Sequence, residues 1–203
     1  MAWKKTRLSV HPYFWLWIAL LFVMVPIRFL AAFFTAVFFH EVCHMIALKM
    51  FRYPMIQVAV GFSGIKIYTA ELQPIHEIIC ALAGPLGGFT LILFAELIPS
   101  VALFGCLQSL YNLLPLYPMD GGRVVSAALR MFLSKRKADA ICTIIQYTVI
   151  LMIITVLLML CVRFQMGIGT IIFGICLLFP ALKRKYPLQR QPLQGTIENH
   201  IYL

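Results

Sequence analysis

The sequence predicts an all-α polytopic membrane protein with about six transmembrane helices and a small β element at the membrane surface. Two observations predict this class. Hydrophobic residues make up 62% of the 203 residues and charged residues only 12%, whereas a soluble domain averages about 25% charged residues. The apolar residues are also grouped into runs that approach the roughly 20 residues needed to cross a bilayer.

Six apolar runs are candidate spans, of which the first and the fourth are short. The run that begins near Tyr13 lacks a cleavage site of small residues, so we interpret it as a retained span and not as a signal peptide. The runs cover residues 13–25, 29–49, 75–97, 101–114, 141–162 and 166–182. We expect residues 1–182 to form one membrane domain and residues 183–203 an extended or poorly ordered cytosolic tail.

The segment 53–68, YPMIQVAVGFSGIKIY, differs from its apolar neighbours. It is rich in β-branched and aromatic residues, alternates in polarity and contains Gly61 and Gly64. This pattern predicts a small hairpin or strand, which we place at the membrane surface.

The distribution of positive charge predicts the orientation. With both termini in the cytoplasm, all but Arg28 and Arg163 of the 17 lysines and arginines lie on the inner side, as the positive-inside rule requires. The net charge of +10 follows from this topology and from attraction to anionic lipid, so it does not indicate nucleic-acid binding. The six cysteines form no CxxC pair and indicate neither a zinc ribbon nor a disulfide framework.

Two histidines and a glutamate interrupt the second span in the stretch HEVCH, residues 40–44. His40 and His44 are four positions apart and therefore lie on one helix face, with Glu41 beside them. This HExxH spacing is typical of zinc hydrolases, in which both histidines bind the metal and the glutamate acts as general base. The alternative is a pair of histidines that neighbouring helices satisfy by hydrogen bonds.

A catalytic zinc ion usually takes three protein ligands, and the chain offers few candidates for the third. Asp120 stands out because it follows the fourth span in NLLPLYPMDGGR, on the same side as the histidines. Pro115 and Pro118 stop the helix, and the two glycines after Asp120 allow a tight turn, so we expect an Asp-bearing loop over residues 112–123. Three other acids near inner loops also remain candidates for the third ligand: Glu71, Glu77 and Asp139.

These two motifs resemble those of the site-2 protease family of intramembrane zinc metalloproteases, whose signatures are HExxH and NxxPxxPxDG. HEVCH at 40–44 and NLLPLYPMDG at 112–121 match both in full and in order. The compact chain is similar to the small bacterial branch that includes a sporulation protease. The resemblance implies a multi-pass protein of the bacterial cell membrane. We expect no counterpart of the family's PDZ and CBS modules, so substrate choice is expected to rest on the membrane core or on a regulatory membrane partner.

The resemblance implies a role for each matching residue. His40, His44 and Asp120 would bind one zinc ion per chain, and Glu41 would be the general base. Asn112 would help to position the substrate backbone or the oxyanion. AGPLGG at 83–88 resembles the family's GPxxN motif, from which we carry over Gly84 and Pro85 as packing and kink residues. Gly88 stands where asparagine is usual.

The implied activity is hydrolysis of a peptide bond within or next to a transmembrane segment of a membrane-bound substrate, as in regulated intramembrane proteolysis. Such a bond is shielded by helical hydrogen bonds, so the substrate must unwind first. We expect the unwound chain to pair by its edge with the β element, at Ile56, Val58 and Val60. The alternatives are a catalytically inactive membrane scaffold and a metal transporter, although the outer half of the chain has few polar groups to line a path.

Overall fold

The computed structural model describes most of the central part of the chain. The described residues are 7–10, 25–61, 64–164 and 201–202, together with the single positions 19, 22, 23, 174, 178, 179, 181 and 182. Five helices lie within these residues: α1 (Ile27–Met50), α2 (Pro74–Thr90), α3 (Pro99–Asn112), α4 (Asp120–Phe132) and α5 (Lys135–Phe164). Four strands accompany them: β1 (Arg7–Val10), β2 (Met55–Gly61), β3 (Gly64–Thr69) and β4 (Ile201–Tyr202).

Three of the described helices are long and apolar enough to cross a membrane. They cover Ile27–Met50, Pro74–Phe94 (α2 with a short 3-10 helix, Leu91–Phe94) and Lys135–Arg163, and they match three of the six predicted spans. The fourth prediction, 101–114, falls on α3, whose 14 residues are fewer than the roughly 20 that a straight span needs. The first and sixth predicted spans, 13–25 and 166–182, lie almost wholly outside the described residues, so a total of six stays a prediction.

The chain forms two compact units, Met1–Leu113 with Leu193–Leu203, and Leu114–Pro192. The first contains α1, α2, α3 and the sheet, and the second contains α4 and α5. That residues 1–182 act as one domain stays a prediction.

In the first unit, α1, α2 and α3 pack against one another through small residues. A Cβ atom added to Gly87 would overlap the thiol of Cys43, and one added to Gly88 would overlap the hydroxyl of Ser109 and approach the carbonyl of Gly105. Because lipid tails are as apolar as the helices, close backbone approach at small residues is a main source of helix association. Gly88 therefore leaves no space for a Cβ unless Ser109 and the Gly105 carbonyl shift.

The β element is a sheet in the order β1-β2-β3-β4. β2 and β3 form an antiparallel hairpin, with Val58 opposite Ile67, and β1 runs parallel to β2. The hairpin is formed largely by the segment 53–68. Its position at the membrane surface stays a prediction. The sequence pattern does not predict the pairings of β1 and β4, which join distant parts of the chain.

The turn after α1 directs the chain into the sheet. Arg52 adopts a left-handed conformation with φ of 60°, and the N–H groups of Arg52 and Tyr53 donate to the carbonyls of Lys49 and Leu48, at 3.0 Å each. This is a Schellman ending of the helix. The hydroxyl of Tyr53 then lies 3.1 Å from Nδ1 of His76 near the start of α2, so α1 and α2 are tied together at this end.

In the second unit, Asp120 begins a helix, which corrects the predicted loop over 112–123. α3 extends to Asn112, and the loop is limited to residues 113–119. Gly122 lies in the first turn of α4, where an added Cβ would collide with the carbonyl group of Leu116. The glycines therefore allow the loop to lie close to the helix, and an aspartate in the first turn is favoured by the helix dipole.

The close contact at Gly88 has a measurable consequence. We expect Gly88→Ala to lower the free energy of unfolding by about 1–3 kcal/mol, the usual cost of overpacking, because its Cβ would overlap Ser109. Unfolding of the purified protein in detergent measures this loss. Leu86→Ala, at an exposed position on the same helix, is the control. A Gly88→Ala protein as stable as the wild type would contradict the packing described for α2 and α3.

Candidate metal centre

The two histidines of HEVCH face the protein interior one turn apart on α1. Each is 2% exposed, and their Nε2 atoms lie 3.2 Å apart. The sequence prediction that both imidazoles converge on one point is met within the first unit.

The protonation of His44 follows from its hydrogen bond. Its Nδ1 lies 2.7 Å from the carbonyl oxygen of Cys80 in α2. A carbonyl oxygen only accepts, so Nδ1 carries the proton and donates it. In the neutral ring, Nε2 then presents a lone pair, the arrangement in which a histidine binds metal and donates its other N–H to a carbonyl group.

His40 contacts the side chain of Asn112. The side-chain nitrogen of Asn112 lies 3.2 Å from Nε2 of His40, and an amide NH2 group only donates. Nε2 of His40 can therefore accept from Asn112 through its one lone pair, the same lone pair with which it would bind a metal ion. A cation bound by both Nε2 atoms would replace the Asn112 contact and stabilise the 3.2 Å approach of the two imidazoles.

This donor pair fits zinc. Two nitrogens bound tetrahedrally at about 2.0–2.1 Å from zinc lie about 3.3 Å apart, close to the 3.2 Å between the Nε2 atoms of His40 and His44. Neutral imidazole nitrogens are also among the ligands that zinc prefers.

Gly84 in α2 makes room for the histidine pair. A Cβ atom added there would overlap Nε2 of both His40 and His44. The backbone of α2 thus passes directly beside the proposed ligand atoms. Pro85, which follows it, lies inside the helix and is buried. The AGPLGG motif marks Gly84 in the sequence, where the resemblance implies only a packing or kink role.

Glu41 follows His40 in α1 and is half-buried. Successive helical residues are turned by about 100°, so Glu41 lies beside the face of the two histidines and not on it. The position suits a proton acceptor next to the metal ligands rather than a third ligand on the same face.

Asp120 is described within the second unit. It is 7% exposed and is the first residue of α4. Its Oδ1 lies 3.9 Å from Nη1 of Arg123, one turn further along the helix. Arg123 is itself 3% exposed, so a buried cation partly balances the carboxylate.

The sequence offers three other acids as candidates for the third metal ligand: Glu71, Glu77 and Asp139. Glu71 is exposed, and Asp139 is buried in α5. Glu77 is buried in the first turn of α2, where the helical rise places its Cα about 10 Å along the axis from that of Gly84. That separation disfavours Glu77 as a ligand beside the histidines.

The predicted pairing of a substrate with the edge of Ile56, Val58 and Val60 needs a correction. These residues lie in β2, which has β1 on one side, with Leu8 opposite Val58, and β3 on the other. β2 is therefore an internal strand of the described sheet. A substrate can pair with it only in place of β1 or β3, and the assignment of these residues to substrate binding stays a proposal.

The fold is similar to that of a site-2 protease from Methanocaldococcus jannaschii. The similarity covers 94% of this chain and 94% of that chain, with a TM-score of 0.64 and 20% sequence identity. No protein-family model and no curated protein matches the chain. At this level of identity, the likeness establishes the fold and leaves the chemistry to be argued from the residues themselves.

The space at Gly84 provides a test of the metal centre. We expect Gly84→Ala to reduce the zinc content of the purified protein well below one ion per chain, because its Cβ would displace the two Nε2 atoms. Gly87→Ala is a matched control on the same helix, since its Cβ meets Cys43 and no imidazole. Elemental analysis gives the zinc content. The metal centre is contradicted if folded Gly84→Ala protein holds as much zinc as Gly87→Ala protein.

Proposed function

We propose that the protein is a zinc-dependent intramembrane endopeptidase that cleaves membrane-bound substrates within or next to a transmembrane segment. The observation that supports this most is the close approach of two buried imidazoles on an apolar helix, with the Nε2 atoms of His40 and His44 3.2 Å apart. Polar groups inside a membrane-spanning helix are energetically costly and usually mark a functional site. The similarity of the fold to a site-2 protease agrees with the proposal.

We assign the third ligand to Asp120. His40, His44 and Asp120 are all buried and each offers a ligand atom suited to zinc. Asn112, which contacts the ring of His40, is joined to Asp120 by the short loop 113–119. The chain is thus long enough for a carboxylate to approach the histidines, and two nitrogens with one carboxylate oxygen leave a position for water.

Two residues of the chain, Glu41 and Asn112, would take part in hydrolysis beside the metal ligands. A bound zinc ion supplies polarisation of the peptide carbonyl and lowers the pKa of water toward about 7. Glu41 accepts the proton of the attacking water and then delivers it to the leaving amine. The amide of Asn112, which lies next to Nε2 of His40, would donate to the carbonyl oxygen of the substrate.

The substrate is a transmembrane protein that unwinds before attack, because a helical peptide bond is shielded by its own hydrogen bonds. The unwound segment would pair with β2 at Ile56, Val58 and Val60 after β1 has moved away. In the proposed topology, both termini face the cytoplasm of a bacterial cell, the centre lies near the inner face of the lipid bilayer, and a membrane partner regulates access.

The base assignment is tested by Glu41→Gln. We expect this variant to keep its zinc and to lose cleavage by about 10²–10⁴-fold, the usual contribution of a general base. New peptide termini in membranes from wild-type cells, absent from Glu41→Gln cells, identify the substrate, and the rate is then measured with purified components. Glu96→Gln, at an exposed carboxyl group, is the control.

Two outcomes would contradict the proposal. Cleavage by Glu41→Gln at the wild-type rate would reject Glu41 as the base. A wild-type protein that holds zinc but yields no termini that depend on Glu41 would favour the inactive scaffold.

The ligand assignment is tested by Asp120→Asn. We expect this variant to lose zinc to a chelator much faster than the wild type, because an amide is a poorer zinc ligand than a carboxylate. Asp139→Asn and Glu77→Gln are matched controls at buried acids and should retain zinc. Unchanged retention in Asp120→Asn, or loss in either control instead, would move the third ligand to another residue.

A further inference from the structure

A single glutamine in the apolar helix α5 makes hydrogen bonds to two other parts of the chain. Gln146 is 3% exposed. Its Oε1 accepts from the backbone N–H of Tyr117 at 3.3 Å, and its Nε2 donates to the carbonyl oxygen of Ala181 at 3.0 Å. All three residues belong to the second unit.

These bonds differ from those of the threonines in α5. The hydroxyls of Thr143, Thr148 and Thr155 each donate to the carbonyl four residues earlier in the same helix. These hydrogen bonds lie within α5 and do not connect it to another part of the chain. Gln146 instead joins α5 to the loop 113–119 and to the backbone at Ala181. A buried amide in an apolar span is costly unless it is bonded.

The loop that Gln146 contacts leads directly to Asp120. Within it, the N–H of Met119 donates to the carbonyl of Leu116 at 2.8 Å, and both of these residues are buried. The same Leu116 carbonyl lies against the first turn of α4 at Gly122, which has no space for a Cβ. Residues 116–119 thus form a tight turn packed on the helix start, and fixing the backbone of Tyr117 also fixes the start of α4.

We propose that Gln146 is a positioning residue for Asp120, because its bond to the Tyr117 N–H holds the turn that places the carboxylate. The inference rests on the proposed function, in which Asp120 binds zinc. Outer partners of metal ligands commonly contribute about 10–100-fold in metal affinity, and we expect a loss in this range when the Gln146 bonds are removed.

The test compares two substitutions of similar length. Gln146→Met removes both hydrogen bonds. Gln146→Glu keeps an acceptor for the Tyr117 N–H and, in its carboxylic acid form, a donor for the Ala181 carbonyl. Cobalt replaces zinc in the purified proteins, because its visible absorption reports on the ligand set. We expect Gln146→Met to bind Co2+ about 10–100-fold more weakly with altered absorption bands, and Gln146→Glu to restore both.

Thr148→Val, which loses only a bond within α5, is the control and should match the wild type. If Gln146→Met does not fold, Gln146→Asn takes its place, because a side chain one methylene shorter cannot span both bonds. The inference is overturned if the folded Met or Asn variant shows the wild-type cobalt affinity and absorption.

Asp120→Asn separates this inference from the proposed function. If it alters the cobalt bands while Gln146→Met does not, only the positioning role fails. If it leaves the bands unchanged, the ligand assignment fails and the inference is overturned with it.

Discussion

The hydrogen bond from Nδ1 of His44 to the carbonyl oxygen of Cys80 is the interaction on which the rest of the site depends. It joins α1 to α2, and it assigns the proton of His44 to the nitrogen that points away from His40. The Nε2 lone pair is thereby presented to the same small space as that of His40. Without this bond, the ring could turn or take its other tautomer, and the pair would no longer be suited to one cation.

The close approach of the helices is the second requirement, and it comes from glycine. Gly84, Gly87 and Gly88 lie close together on α2, at positions where the neighbouring helices leave no room for a Cβ. Gly84 accommodates the imidazoles, and the other two accommodate side chains of α1 and α3. The short distance between α1 and α2 is also what allows His44 to reach a backbone carbonyl. Packing and ligand orientation are therefore consequences of the same small residues.

Several features could be predicted from the sequence because they depend on local periodicity or composition. The convergence of His40 and His44 follows from helical spacing, and the three long spans follow from apolar runs. The bond to Cys80 could not be predicted, because a backbone carbonyl has no sequence signature. The pairing of β1 with β2 joins segments far apart in the chain, so β2 was expected to be an edge strand. The sequence does not predict the helical start at Asp120, because adjacent glycines favour a turn, whereas Gly122 serves a close contact with Leu116.

X-ray absorption at the zinc edge of the purified wild-type protein measures the ligand set directly. We expect two imidazole nitrogens at about 2.0–2.1 Å, completed by oxygen ligands at similar distances, with one imidazole lost in His44→Ala. Cys43 and Cys80 lie on the same two helices as the histidine pair and Gly84, so a cysteine sulfur is the alternative ligand that the spectrum would reveal. A zinc–sulfur distance of about 2.3 Å, or a spectrum that His44→Ala leaves unchanged, would rule out this metal centre.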